Sequence, residues 1–382
     1  MQIFIIARGY PTKQNPQWGC FEKDQALALN KMGHKVVILS YRQHPFIPNL
    51  GYQVIEEQGI CSISFNALPG RLLGKQGTKL RIWFEQWELD KAYKCAVKLY
   101  GEPDIIYSHY LFITHVATHL KRKYNKPLIG IEHWSELNKE NIATHIERMA
   151  KKTYSTLDAL ITVSHSLEQS IQNHFKCNSI VIHNMIGDEF QYMPQKTKQI
   201  LQFISTGSLI KRKGFDLLLL AFKKLKLPSD KWNLNIIGEG KEHRNLQKQI
   251  REHGLNNNIH LLGGKNKTEI AELLNQSDVF ILPSRNENFS VAVLEALACG
   301  LPVIASICGG IKECINDKNG LLFEVDDING LAKCIKYMYD HHQDYDRQAI
   351  AADCKAHFSS EVIAKQLTNI FEDVMAEHKN KK

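Results

Sequence analysis

Short apolar runs alternate with longer amphipathic stretches through the first half of the chain: IFIIA (3–7), KVVILS (35–40), DIIYSH (104–109), PLIGIEH (127–133) and DALITVS (158–164). Runs this short and this apolar are what strands of a mainly parallel sheet, buried on both faces, look like. The stretches between them supply helices, among them 24–32 and 111–124; the second ends in Lys121, Arg122 and Lys123, a basic last turn that suits the helix dipole. After HNMIGDEF the pattern breaks. The segment QYMPQKTKQ (191–199) is polar, contains a proline and has no apolar period, which predicts a linker. The alternation then restarts with ILQFIST, a helix from 215, NLNIIG, a helix over 241–253, NIHLLG, a helix over 268–275, DVFILPS, a helix carrying Glu295, and PVIAS. Two doubly wound α/β domains in tandem are predicted, 1–190 and 200–358, followed by a polar-faced helix over 359–382. Ligands of such sheets are expected at the carboxyl ends of the strands, in the cleft between the domains.

The bulk numbers fit this picture. A chain of 382 residues exceeds one comfortable core, and 43% hydrophobic with 23% charged residues is ordinary for a globular protein. The net charge of +8 suits a polyanionic partner or an anionic membrane. Nine cysteines lie scattered without C-x-x-C pairs or His/Cys ligand spacing, so neither a disulfide framework nor a structural zinc site is expected, and a reducing cytoplasm fits best. The opening MQIFIIARGYP is too short an apolar stretch for a signal peptide and reads as a first strand. No run approaches the ~18 apolar residues of a membrane span.

Two regions carry candidate chemistry. In PSRNENFSVAVLEALACGLPVIAS, Glu287 sits in a polar turn after a buried strand (279–282), and Glu295 lies in a helix expected from about Phe289 and stopped by Gly300 and Pro302. Eight residues separate the two carboxylates, roughly 12 Å if helical throughout. The backbone N–H groups of Asn288, Phe289 and Ser290 would face an anion at the helix start. Small apolar neighbours flank Glu295, so its carboxylate occupies either the one polar stripe of the helix or a crevice. The second region, TGSLIKRKGFD, places Lys211, Arg212 and Lys213 between Gly207 and Gly214, just before a helix whose Phe215, Leu218, Leu219 and Phe222 share one face. A basic loop at a strand's carboxyl end leading into a helix start is a phosphate site on physical grounds.

TGSLIKRKGFD, DVFILPSRNENFSVAVLEALACGLPVIAS and NGLLF together resemble the retaining GT-B glycosyltransferases of family four. The loop ARGYPTKQNPQWGCFEKDQALALNKMGHKV is similar to that family's opening strand, glycine loop and first helix, which brings Gly19 into the donor-binding set. The likeness covers essentially the whole chain and is weakest over 51–101. It implies a GT-B fold of two Rossmann-like domains, the N-terminal one binding acceptor, the C-terminal one binding donor, and the C-terminal helix crossing back to the first. It implies that Glu287 binds the donor sugar with the amides of Asn288, Phe289 and Ser290, that Glu295 binds the ribose, and that Lys213 neutralises the pyrophosphate without a metal. His133, in IGIEHWS at a strand end, matches a histidine near the reacting sugar. The family usually has an arginine after the glycine at 207; here Ser208 stands, and Lys211 or Arg212 would have to fill in, against a loss of about 1.5–3 kcal/mol for a charged hydrogen bond.

The resemblance implies transfer of a sugar from a nucleoside diphosphate donor, UDP-sugar favoured over GDP-sugar, to a hydroxyl of a saccharide or lipid-linked saccharide in cell-surface glycan biosynthesis, with no cofactor or metal. Other enzyme classes fit worse. The D-x-D at Asp344 and Asp346 lies in a polar helical region, and Gly238-Glu239-Gly240 continues to His243 where a dinucleotide fingerprint wants glycine. A binding-only protein of the same fold is the rival reading, favoured by Ser208 and opposed by Glu287, Lys213 and His133 together. Dispersed basic residues argue against nucleic acid. Arg71, Lys75, Lys79, Arg81, Trp83, Phe84 and Trp87 form a basic, aromatic stretch that could dock on an anionic membrane at the inner face of the cell, or else pack into the core.

Overall fold

The apolar runs become strands because both their faces are covered. The computed structural model describes residues 1–12, 18–43, 52–67, 79–139, 141–194 and 199–380. They divide into two units, Met1–His183 with Ser360–Lys382, and Asn184–Ser359.

The first unit runs β1 (Gln2–Ala7), α1 (Cys20–Lys31), β2 (Lys35–Gln43), β3 (Gln53–Glu57), β4 (Ile60–Ala67), α2 (Lys79–Tyr100), β5 (Ile105–His109), α3 (Leu111–Tyr124), β6 (Leu128–Glu132), α4 (Thr144–Tyr154), β7 (Ala159–Thr162), α5 (His165–Phe175) and β8 (Ile180–Val181). Its strands lie in the order β3-β4-β2-β1-β5-β6-β7-β8. All neighbours are parallel except β3 with β4, an antiparallel hairpin at the edge. Ile3, Phe4, Ile5, Ile6, Ile105, Ile106 and Tyr107 are wholly buried. The order reverses at β1, which lies between β2 and β5, so the crevice of this sheet opens at the carboxyl ends of β1 and β5.

The second unit runs β9 (Leu201–Thr206), α6 (Phe215–Leu225), β10 (Trp232–Ile237), α7 (His243–Glu252), β11 (Ile259–Leu261), α8 (Lys267–Asn275), β12 (Val279–Leu282), α9 (Val291–Ala298), β13 (Val303–Ser306), β14 (Gly320–Phe323), α10 (Ile328–His341) and α11 (Arg347–Phe358). Its six strands are parallel, in the order β11-β10-β9-β12-β13-β14, with the reversal between β9 and β12. Phe203, Phe215, Leu218, Phe222, Trp232 and Ile281 are among the side chains of its core. The chain then returns as α12 (Ser360–Asn380), which belongs to the first unit and buries Leu367, Ile370 and Phe371; the Phe371 ring meets Tyr107 at 5.1 Å.

Three expectations shift. The units part between His183 and Asn184, not at 191–199, because Met185, Ile186 and Phe190 are core residues of the second unit and Ile186 N–H donates to Phe358 O at 2.9 Å. Even Met193 is docked there, its N–H donating to Asn275 Oδ1 at 2.8 Å; of the expected linker, 195–198 lie outside the described residues. The helix expected over 24–32 begins at Cys20, directly after Gly19. The helix expected from Phe289 begins at Val291, so the interval from Glu287 to Glu295 is not helical throughout.

Candidate active site

In the second unit the loops leaving β9 and β12 meet over the switch point. Lys211–Lys213 form a single 3-10 turn, closed by Gly214 at φ +68°. A Cβ at Gly214 would lie 1.9 Å from the carbonyl oxygen of Pro283, so only glycine lets the basic turn press against the end of β12. There Lys213 Nζ meets Glu287 Oε1 at 2.6 Å, and Arg212 Nη1 reaches Glu287 Oε2 at 3.3 Å and Asn286 O at 2.6 Å. Ser284 Oγ donates to Glu287 Oε1 at 2.7 Å. Glu287 is only 7% exposed. Burial alone would raise its carboxyl; the charges of Lys213 and Arg212 and the bonds from Lys213 and Ser284 outweigh it and hold the group below its ordinary value. Lys213 and Glu287 are thus direct partners.

Arg285, which the sequence reading passed over, ties this corner together. Its guanidinium makes a two-pronged pair with Asp216 at 2.9 Å, bonds Asp326 Oδ1 at 2.6 Å and donates to Lys211 O, while its N–H donates to Arg212 O at 2.7 Å. The exit of β13 braces the Glu287 loop from the other side, with Gly310 N–H donating to Asn288 O at 2.7 Å and Ser306 Oγ donating to Ser284 O. Asn288, Phe289 and Ser290 are buried in this loop ahead of α9, where Phe289 O accepts from Asn184 Nδ2 at 3.0 Å and the Phe289 ring packs on Phe358. Ser290 is the residue before α9 and makes no side-chain cap. Glu295 is the half-buried polar residue of a helix whose Val293, Leu294, Ala296, Leu297 and Ala298 are buried. Ser208 is exposed on the β9 loop. Asp346 caps α11 and Asp344 pairs with His341, so the D-x-D residues have local structural roles.

In the first unit, Gly19 precedes α1 at φ +81°, and a Cβ there would lie 2.2 Å from Gly9 O. This close approach presses the start of α1 onto the end of β1; residues 13–17 of the connecting loop lie outside the described residues. Arg8 pairs with the fully buried Glu22 at 3.2 Å and lies 3.7 Å over the ring of Tyr110. His133, just past β6, stacks on His109 at 5.4 Å and 8°, and lies 5.1 Å from Tyr110. His109 is fully buried, and neither of its ring nitrogens has a hydrogen-bond partner among the described residues; burial, helped by the Arg8 charge, pushes it down to about 3, so it is neutral. Beneath His133 the Glu132 carboxylate, 1% exposed, accepts from His133 N–H at 3.0 Å, Trp134 N–H at 2.9 Å and the Tyr154 hydroxyl at 2.9 Å. Burial nevertheless pushes Glu132 up to about 7. Arg8, His109, Tyr110 and Glu132 all escaped the sequence reading, although each stands at the end of a predicted strand, the same signal that singled out His133.

Of the aromatic stretch on α2, Phe84 is half-buried, while the two tryptophans do not pack into the core. Leu80, Trp83 and Trp87 are 60%, 62% and 41% exposed, Lys91 Nζ lies 3.1 Å over the Trp87 ring, and the core face is carried by Leu89, Ala92, Tyr93 and Ala96 further along. Arg71 and Lys75 lie outside the described residues. Among the described residues no helix is long and apolar enough to cross a membrane.

Comparison with known proteins bears on the family and the fold. Residues 189–353 match the model of glycosyl transferases group 1, and residues 23–190 match that of glycosyltransferase family 4. An uncharacterized glycosyltransferase of Methanocaldococcus jannaschii is 29% identical over 243 residues, 63% of this chain and 66% of that one. The glycogen synthase of Mycobacterium tuberculosis is 28% identical over 381 residues, 92% of this chain and 89% of that one. Among solved structures, Anabaena HepE in complex with UDP-glucose superposes with a TM-score of 0.74 at 18% identity, covering 98% of this chain and 100% of that one, which speaks to the fold. The two models together span nearly the whole chain, and the chain belongs to the GT-B glycosyltransferases of family 4.

Proposed function

We propose that this glycosyltransferase moves a sugar, with retention of configuration, from a nucleoside diphosphate donor to a hydroxyl of a saccharide or lipid-linked saccharide in cell-surface glycan biosynthesis. The observation that carries the reading is the cluster of Lys213, Arg212 and Glu287 over the switch point of the second sheet. A diphosphate leaving group gains charge as the glycosidic C–O bond breaks, and protein cations fixed beside it stabilise that charge without a metal or cofactor. Lys213 has donors beyond the one given to Glu287, and Arg212 has more. In front-face transfer the acceptor oxygen bonds the anomeric carbon, the bond to the diphosphate breaks, and the departing phosphate oxygen takes the acceptor's proton. Glu287 then orients sugar hydroxyls, with Gly19, Ser208, Asn288, Phe289 and Ser290 as further donor contacts, Glu295 at the ribose and His133 at the reacting sugar. HepE was solved with UDP-glucose, which favours a UDP-sugar over a GDP-sugar. In a thermal-shift screen across UDP-, GDP- and ADP-sugars, a UDP-sugar is expected to stabilise the protein most; the same shift in Lys213→Ala would contradict the pyrophosphate role.

The exposed Leu80, Trp83 and Trp87 beside Lys79 and Arg81 support a peripheral contact with the anionic cytoplasmic face of a membrane, where a lipid-linked acceptor would be met. Failure to co-sediment with anionic vesicles at low salt would remove this contact. A binding-only protein is the second reading, and the exposed Ser208 in place of an arginine is what favours it.

A further inference from the structure

Tyr110 has a backbone that a tyrosine should avoid. It stands between β5 and α3 at φ +64° and ψ 142°, a region that glycine enters freely and a side chain bearing Cβ does not. Such a conformation persists only where the surroundings fix it, and here they do: Tyr110 N–H donates to Ile131 O at 2.9 Å, and its carbonyl accepts Thr114 N–H at 2.9 Å. Glycine would make the same turn without strain, so the turn does not explain the ring. The ring lies instead at the switch point of the first sheet, between the Arg8 guanidinium at 3.7 Å and the His133 imidazole at 5.1 Å. A second ring beside His133 is that of His109, stacked nearly parallel at 8° and itself set against Tyr107 at 4.8 Å. His133 follows the last residue of its strand, and these rings limit how its imidazole can turn.

We propose that Tyr110 is a positioning residue of the transfer reaction, its ring held over the end of β5 so that it and His109 fix the orientation of the His133 imidazole. The inference rests on the reading that His133 acts at the reacting sugar. Because the ring acts through geometry, its loss lowers turnover more than donor binding, and a displacement of about 1 Å at a reacting group can cost about 100-fold.

The test compares Tyr110→Gly, Tyr110→Leu, Tyr110→Phe and His133→Asn in the full-length protein, using the nucleoside diphosphate sugar that the wild type turns over fastest. Tyr110→Gly is expected to unfold at an unchanged or higher denaturant concentration, because the strain is relieved, while its kcat falls at least about tenfold with donor KM within about twofold. Tyr110→Leu keeps the strain and much of the volume and should lose the same kcat, whereas Tyr110→Phe should restore it. Wild-type kcat in both Gly and Leu variants, or a loss that follows stability, overturns the inference. Wild-type kcat in His133→Asn alongside a slow Tyr110→Gly also overturns it, since the ring would then act through something other than His133, while the transferase reading itself would stand.

Discussion

Each unit buries a glutamate at the carboxyl end of a central strand, and the two are held in opposite ways. Glu287 is ringed by cations, with Lys213 at 2.6 Å and Arg212 at 3.3 Å, and it stays ionised below its ordinary range. Among the described residues the donors to Glu132 are neutral, the backbone N–H groups of His133, Trp134 and Leu111 and the Tyr154 hydroxyl, and burial pushes its carboxyl up to about 7. Depth alone therefore does not decide whether a buried carboxyl is charged. A charge that stays buried needs an opposite charge, because hydrogen bonds from neutral groups only partly replace the lost water. Under the proposed reading this difference would divide the labour, with fixed charges for a diphosphate in the second unit and oriented rings in the first.

The largest break comes from removing a cation. Lys213→Ala leaves Glu287 buried with only the half-exposed Arg212 opposite, and should cost about 3 kcal/mol in a denaturant titration. A loss no larger than that of a surface alanine substitution would mean that the pair is solvated.

A pH titration sharpens the contrast. The Glu132 carboxyl titrates near 4.5 in the unfolded chain and near 7 in the folded one, so between these values the folded state holds the extra proton. Stability contributed by that proton is present below pH 4.5 and is lost as pH rises through 7, by roughly 3 kcal/mol. Glu132→Gln should flatten this slope across pH 4.5 to 7. Glu287, lowered, works the other way: its contribution is present above its unfolded value and is lost as pH falls through the folded one. An unchanged slope in Glu132→Gln would show that Glu132 is ionised like Glu287.

The smallest effect concerns how the charged corner is assembled. Arg285→Ala removes the ties to Asp216, Asp326 and the Lys211 carbonyl, all partly exposed, and should cost about 1–2 kcal/mol. It should also raise donor KM more than it lowers kcat, because the basic turn loses its fixed place.

The same contrast explains what the sequence could disclose. Lys213 and Glu287 stand in short polar turns after apolar runs, so local pattern finds them; α3 came out at its observed bounds, 111–124, because its period is regular. Partners distant in sequence leave no such mark. Arg285 meets Asp216 and Lys211 across about seventy residues, and Arg8 meets Tyr110 across about a hundred. The β3–β4 hairpin was missed because its turn, Gln58-Gly59, takes two positive φ values with a glutamine at the first, where asparagine or glycine is the usual signal. The unit boundary was misplaced because polarity marks where a chain is exposed, and 191–194 are exposed or half-exposed while still hydrogen-bonded to the second unit. The start of α9 was misplaced because 288–290 are buried by loop packing, which hydrophobic periodicity does not register.

If the second unit's charged corner serves sugar transfer, release of free nucleoside diphosphate depends on it. Wild type and Glu287→Ala would be assayed with a panel of nucleoside diphosphate sugars and saccharide or lipid-linked acceptors, and circular dichroism would confirm that the variant stays folded. Acceptor-dependent release by the wild type, and none above background by Glu287→Ala, is expected if the corner serves transfer. Release by the variant at the wild-type rate, or binding of donor by the wild type with no release in any combination, would contradict it.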